Sequence, residues 1–156
     1  MSSTTDNARK IIVTQALPYA NASLHLGHIL EAVQTDIWSR FQNKSGNECL
    51  FFCADDTHGT PVMLKAKELG KSPEDLIKEV QRDHEETYKL YDINFTNYHS
   101  THSDENKKYS EQIYLKAKEN DLITRRTINQ LYDESESMFL SDRFVKGCLL
   151  YTSPSP

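Results

Sequence analysis

Apolar residues fall along this chain in two kinds of run. Lys10-Ile11-Ile12-Val13-Thr14 is short, nearly continuous and β-branched, which is the mark of a strand buried on both faces. After a loop holding Pro18, Asn21 and Ser23, the residues Leu26, Ile29, Leu30, Val33, Ile37 and Phe41 recur at helical spacing, and Ser45-Gly46 closes that helix. Cys49-Leu50-Phe51-Phe52-Cys53-Ala54 is a second apolar run. Strand, helix and strand make a βαβ unit, which implies a parallel sheet with right-handed crossovers. Pro61 suits the first turn of a further helix ending at Gly70. Ser72-Pro73-Glu74-Asp75 supplies a cap, a first-turn proline and two acids, and opens a helix to about Tyr91. Residues 93–98 read as a third strand, and Ser103-Asp104-Glu105-Asn106 starts a helix running to about Asn120. The order β-α-β-α-α-β-α predicts an open α/β domain over residues 8–120.

Beyond Asn120 the texture changes. Residues 122–132 alternate and residues 138–145 form a short mixed stretch, so 121–147 reads as the start of a small β-rich module. Residues 148–156 are largely Ser, Thr and Pro without periodicity. They read as an aberrant or disordered tail.

Composition narrows the class. At 156 residues there is room for one domain with a real core. No apolar run nears the ~18–20 residues of a membrane span, and the polar start, residues 1–7, carries no secretory signal. A cytoplasmic location is the expectation. Three cysteines without CxxC spacing argue against a disulfide framework, and Cys49 and Cys53 read as buried small hydrophobes. The net charge of −5 is wrong for a main RNA-binding surface, because phosphate contacts supply most of such affinity. Weak or no RNA binding is expected of this segment. Tyr88, Tyr91, Tyr109 and Tyr114 read as helix packing rather than a base-stacking platform.

In open α/β sheets, ligands bind beyond the carboxyl ends of the strands. Two segments meet that condition: residues 16–28 after the first strand, and Ala54-Asp55-Asp56-Thr57-His58-Gly59-Thr60-Pro61 after the second. The first enters a helix at His25-Leu26-Gly27-His28. A helix N-terminus offers unpaired N–H groups and partial positive charge, so it attracts phosphate. Gly27 lets a ligand approach the backbone, and His25 and His28, three apart, can present imidazole donors on one side. The same dipole disfavours imidazolium, so neutral donors are expected. Alternatives are an ordinary polar helix start, or a metal-dependent hydrolase built on His25, His28 and His58 with Asp56. His99 and His102 form another HxxH, without the partner carboxylates a metal site needs.

The segment Ala16-Leu17-Pro18-Tyr19-Ala20-Asn21-Ala22-Ser23-Leu24-His25-Leu26-Gly27-His28 resembles the signature of class I aminoacyl-tRNA synthetases and, within them, the methionine enzymes. So do residues 54–61, Tyr98-His99-Ser100-Thr101-His102 and Asp142-Arg143-Phe144-Val145-Lys146-Gly147. Four blocks in order, spanning about residues 10–147, are far more specific than one HxGH.

The resemblance implies the first half of a Rossmann-like nucleotide-binding domain followed by the start of a connective insert. It implies ATP-dependent activation of methionine to the adenylate and transfer to tRNA(Met), with Mg2+ accompanying ATP. By the same resemblance His25, Gly27 and His28 would bind ATP, His25 and His28 would be catalytic, Ala16, Leu17 and Tyr19 would line the methionine pocket, and Asp56 would pair with the methionine ammonium. Asp55 and His58 would stand behind them. The sequence departs from the family in lacking Lys-Met-Ser-Lys-Ser, which lies far downstream in the relatives. It also lacks the paired cysteines of a zinc-holding insert: Cys148 stands alone, and no metal ligand is assigned. The expectation is that this chain alone runs no useful adenylation. A non-catalytic ATP- or methionine-binding fragment is the alternative.

Overall fold

A computed structural model of the chain describes residues 8–135 and 137–139. β1 (Lys10–Thr14), α1 (Leu26–Lys44), β2 (Glu48–Asp55), α2 (Thr60–Glu68), α3 (Pro73–Leu90), β3 (Asn97–Ser100) and α4 (Asp104–Glu119) follow one another. β2 lies between β1 and β3 in a three-stranded parallel sheet, with Lys10 opposite Glu48 and Asp55 opposite Ser100. All three strands therefore end on one edge, where the loops after Thr14, Asp55 and Ser100 emerge. This is an α/β fold of the Rossmann-like kind. Among the described residues no helix is long and apolar enough to cross a membrane.

Two apolar clusters hold these elements. One joins Ala32 of α1, Phe51 of β2, Tyr88 of α3 and Ile93. The other joins Val62 and Ala66 of α2 to Leu76, Ile77 and Val80 of α3, with Ala20 and the flank of Tyr19 packed on them. The second cluster matters for function, because it fixes the loop after β1 to the two helices that follow β2. Cys49 and Cys53 are buried on β2, and desolvation pushes the Cys53 thiol up to about 12, so it is not a ready nucleophile.

The face of α1 differs from the one its apolar residues predict. Ile29, Ala32, Asp36 and Ser39 are the buried positions, while Leu26 (78% exposed), Leu30, Ile37 and Phe41 face outward. Both sets have helical spacing, so periodicity alone could not choose between them. Small Ala32 and Ser39 let the helix lie close to the sheet. Buried Asp36 is satisfied by Arg40 Nε at 2.6 Å and the Asn94 N–H at 3.1 Å.

The third strand also begins later than its apolar residues suggest. Ile93 and Phe95 serve as core plugs, the chain is latched to β2 by the Thr96 N–H on Phe51 O and the Phe51 N–H on Thr96 Oγ1, and pairing then runs from Asn97 to Ser100. Of the four tyrosines, Tyr88 is core, whereas Tyr91, Tyr109 and Tyr114 are exposed.

The chain divides into two compact units, Met1–Ile113 and Tyr114–Pro156. In the second, residues 122–131 form no strand despite their alternation. Among the described residues of this unit, β4 (Tyr132–Asp133) and β5 (Met138–Phe139) pair, antiparallel. Most of the 138–145 stretch, the block 142–147, Cys148 and the tail lie outside the described residues.

Candidate active site

The loop from β1 to α1 is zipped against the loop after β2. The Asp56 N–H donates to Pro18 O at 2.9 Å and the Ala20 N–H to Asp56 O at 2.8 Å, a one-residue parallel bridge between Tyr19 and Asp56. Tyr19 Oη donates to His58 O at 2.6 Å, and Glu31 Oε1 of α1 accepts the Ala16 N–H at 2.7 Å. These bonds bring Ala16, Leu17, Tyr19 and Asp56 to one place at the sheet edge. Ala16 and Leu17 are exposed, and Tyr19 and Asp56 half-buried. Asp56 does not cap the next helix: the cap residue of α2 is Gly59, with no side-chain hydrogen bond.

Gly59 sits at φ +113°, and a Cβ there would lie 2.8 Å from Tyr19 Oη. Both facts demand glycine. We expect Gly59→Ala to destabilise the fold by about 1–3 kcal/mol in urea unfolding, the usual cost of a non-glycine residue forced into sparsely allowed backbone space. A smaller loss in the Tyr19→Phe background would identify the hydroxyl contact.

At the start of α1 the two histidines cap each other. His25 is the N-cap residue, and its Nδ1 accepts the N–H groups of Gly27 at 3.1 Å and His28 at 3.4 Å. His28 Nδ1 accepts the His25 N–H at 3.4 Å, and the rings stack with centroids 3.7 Å apart. An Nδ1 that accepts carries no proton, so in the neutral rings both Nε2 atoms carry the N–H. The donors that remain for a ligand are therefore the two Nε2–H groups. Gly27 has a more local reason than ligand approach: a Cβ there would meet His25 Cε1 at 2.9 Å. Any larger residue would push the His25 ring off its cap.

Desolvation, then repulsion from His25 and His84, lower the pKa of His28, with Glu31 opposing. His28 should stay neutral as pH falls through 6.5 and protonate only below it. An NMR titration of the His28 ring with a midpoint above 6.5 would contradict this.

Behind the edge, Asp55 and Tyr98, which lie in blocks the resemblance quoted, meet His84, which the sequence reading did not single out. Asp55, His84 and Tyr98 come from β2, α3 and β3. His84 Nδ1 lies 2.6 Å from Asp55 Oδ1, His84 Nε2 lies 2.9 Å from Ala22 O, and Tyr98 Oη donates to Asp55 Oδ1 at 2.5 Å. Burial and the Asp55 charge push the Tyr98 phenol strongly up, so it remains a donor. Glu31 was likewise not singled out.

His58 faces His102. Its Nε2 lies 3.3 Å from His102 Nδ1, beside a cleft of about 760 Å³ that Thr101, Asn106 and Lys107 also line. His99 instead faces Glu105 at 3.6 Å. Among the described residues no three His, Cys, Asp or Glu side chains come together as a metal site.

A parallel α/β sheet with an HxGH helix start beyond its first strand, and an acid beyond the second, is the arrangement of the Rossmann-like part of a class I aminoacyl-tRNA synthetase. Residues 11–153 match the family described as tRNA synthetases class I (M), and the chain belongs to that family. It is 59% identical over 140 residues to the methionine–tRNA ligases of two Leptospira biflexa serovar Patoc strains, a match covering 90% of this chain and 21% of each relative. The chain thus spans about a fifth of the length of these curated relatives. Its fold is similar to a Mycobacterium tuberculosis methionyl-tRNA synthetase in complex with methionyl-adenylate (TM-score 0.76, 21% identity, 86% of this chain and 26% of that one). It is also similar to an Agrobacterium radiobacter LeuRS in a ternary complex with tRNA and LeuAMS (TM-score 0.75, 20% identity, 90% of this chain and 18% of that one).

Proposed function

We propose that the chain is the ATP- and methionine-binding portion of a methionine–tRNA ligase, which activates methionine to methionyl-adenylate and transfers it to tRNA(Met). The observation that carries this is the bridge between Tyr19 and Asp56, which makes the signature loop and the acid one structural piece. The 59% identity to methionine–tRNA ligases supports methionine as the amino acid.

In this reading Asp56 offers its carboxylate to the methionine ammonium, a charge-assisted pair suited to a free amino acid. Ala16, Leu17 and Tyr19 border the side chain, and an apolar border suits an unbranched thioether. The methionine carboxylate attacks the α-phosphorus of ATP, the bond to the bridging oxygen breaks, and pyrophosphate leaves with that electron pair. His25 and His28 donate Nε2–H to the phosphate oxygens as charge builds there, and Gly27 keeps the His25 ring seated. No covalent step on the protein is needed.

Mg2+ would travel with ATP, since Asp55 is fully buried with its Oδ1 held by His84 and Tyr98. The described cysteines, Cys49 and Cys53, are buried, so no zinc chemistry is assigned to them. Residues 8–120 are read as the first half of the catalytic domain, 121–147 as the start of a connective insert and 148–156 as a tail, in a cytoplasmic protein of translation. Most tRNA contact is assigned to other parts of such an enzyme.

Calorimetry on this chain, with L-methionine and separately with ATP, tests the reading. Binding of methionine that Asp56→Asn removes is expected. Methionine binding unaffected by Asp56→Asn would overturn the assignment of Asp56.

A further inference from the structure

We propose that His84 is a positioning residue for the signature loop: a buried imidazolium that ties the backbone of Ala22 to the carboxylate of Asp55. The consequence for ATP and methionine rests on the function proposed above, but the clamp itself does not.

The geometry sets the charge. His84 and Asp55 are both 0% exposed, and the two ring nitrogens of His84 each face an oxygen, Asp55 Oδ1 at 2.6 Å and Ala22 O at 2.9 Å. A peptide carbonyl can only accept. A carboxyl group is a stronger acid than imidazolium by about 2.5 pK units in water, so the proton between Asp55 and His84 belongs to the ring. Tyr98 Oη donates to the same Asp55 oxygen, which further favours the carboxylate. Both ring nitrogens must then carry hydrogen. A neutral ring would press a lone pair against an oxygen where water has no access.

The groups that act on the ring agree. Asp55 faces it from β2, the Ala22 carbonyl from the loop, and Asp83 adds negative charge from its own helix. Desolvation works against the charged form, but the bonds to Asp55 and Ala22 and the two acids outweigh it, and the pKa of His84 is raised above 6.5. The positive charge is felt at His28 on α1, where it helps hold that ring neutral. A histidine whose folded-state pKa is raised adds stability that is complete below pH 6.5 and is lost as pH rises through the folded-state value.

Position makes this more than core packing. Ala22 lies three residues before His25, and Asp55 is the residue before Asp56. One side chain of α3 thus spans the two segments whose spacing sets phosphate donors against the ammonium-binding acid. The remaining ties between these segments among the described residues, at Pro18, Tyr19 and Ala20, lie earlier in the loop. The clamp at Ala22 governs its far end, next to the helix start.

The test uses this chain with 15N-labelled histidine, and neither ATP nor methionine. Long-range 1H–15N spectra at pH 7 should show both His84 nitrogens protonated, with titration to a neutral ring only on raising the pH. A singly protonated His84 at pH 7 would overturn the proposal. In His84→Gln, which cannot reach both acceptors from opposite sides, amide exchange over residues 21–25 should quicken by about tenfold or more while the β2 amides of Phe51 and Cys53 keep their rates. Unchanged loop exchange, or equal acceleration in β2, would reduce His84 to a structural residue and overturn positioning. If that variant does not fold, the wild-type loop decides. Its exchange should rise beyond the intrinsic pH dependence as His84 deprotonates, and a loop that shows no such rise sinks the clamp. Failure here leaves the ligand assignment standing, and failure of methionine to bind leaves the clamp standing.

Discussion

Replacing His28 with alanine should slow methionyl-adenylate formation about 100- to 1,000-fold, the usual cost of deleting one preorganised donor to a developing oxyanion, while methionine affinity changes little. The expectation comes from the hydrogen bonds at the start of α1. His28 Nδ1 is occupied by the His25 N–H, so in the neutral ring its one proton is on Nε2, and burial with two nearby histidines keeps the ring neutral. Such a ring is a fixed dipole, and it is worth most where charge builds during the attack on phosphorus. In the proposed reading methionine makes its charged contact elsewhere, with Asp56. The measurement is single-turnover adenylate formation in a protein carried to the full length of the curated relatives, beside methionine binding by calorimetry. Equal losses in rate and affinity would contradict a transition-state role. The substitution also removes half of the reciprocal cap on α1, worth roughly 1 kcal/mol, so an unfolding curve should accompany the kinetics.

The second large effect is on amino-acid binding. Asp56→Asn should weaken methionine binding roughly 30- to 100-fold, the lower part of the range for removing one partner of a hydrogen-bonded charge pair, because Asp56 is only half-buried. The backbone of Asp56 makes the bridge to Tyr19 through its N–H and carbonyl, so the amide leaves the loop in place. ATP affinity is expected to remain within about threefold, since a charge removed from a half-exposed position is largely screened from the phosphates. Loss of ATP binding of the same size would mean that the loop had moved.

The sequence pattern carried the sheet and the helix starts. Three kinds of local signal explain that success: the β-branched run of β1 and the continuous apolar run of β2, the Ser72-Pro73 opening of α3, and the HxGH helix start. What it missed has a common physical cause. On α1 two interleaved sets of positions share helical spacing, and only the sheet determines which is covered. At β3 the apolar residues mark the core plugs before the strand, because tertiary latches at Thr96 set where pairing begins. In residues 122–131 alternation had no partner strand to meet among the described residues. The reciprocal cap of His25 and His28 was within reach of a sequence reading, since capping boxes have fixed spacing, but histidine is not the usual capping residue. The partners of His84 were out of reach, since they lie 29 and 62 residues away, although its spacing from Val80 and Tyr88 places it on the buried face of α3.

The proposed function requires that the signature loop and Asp56 form one site for ATP and methionine. It is tested most directly by amino-acid-dependent ATP–pyrophosphate exchange in the protein carried to the length of its curated relatives. Exchange is expected to require methionine, to stay at background with leucine, isoleucine or valine, and to fall on substituting either His28 or Asp56. Exchange that is driven equally by another amino acid, or that survives both substitutions, would contradict it.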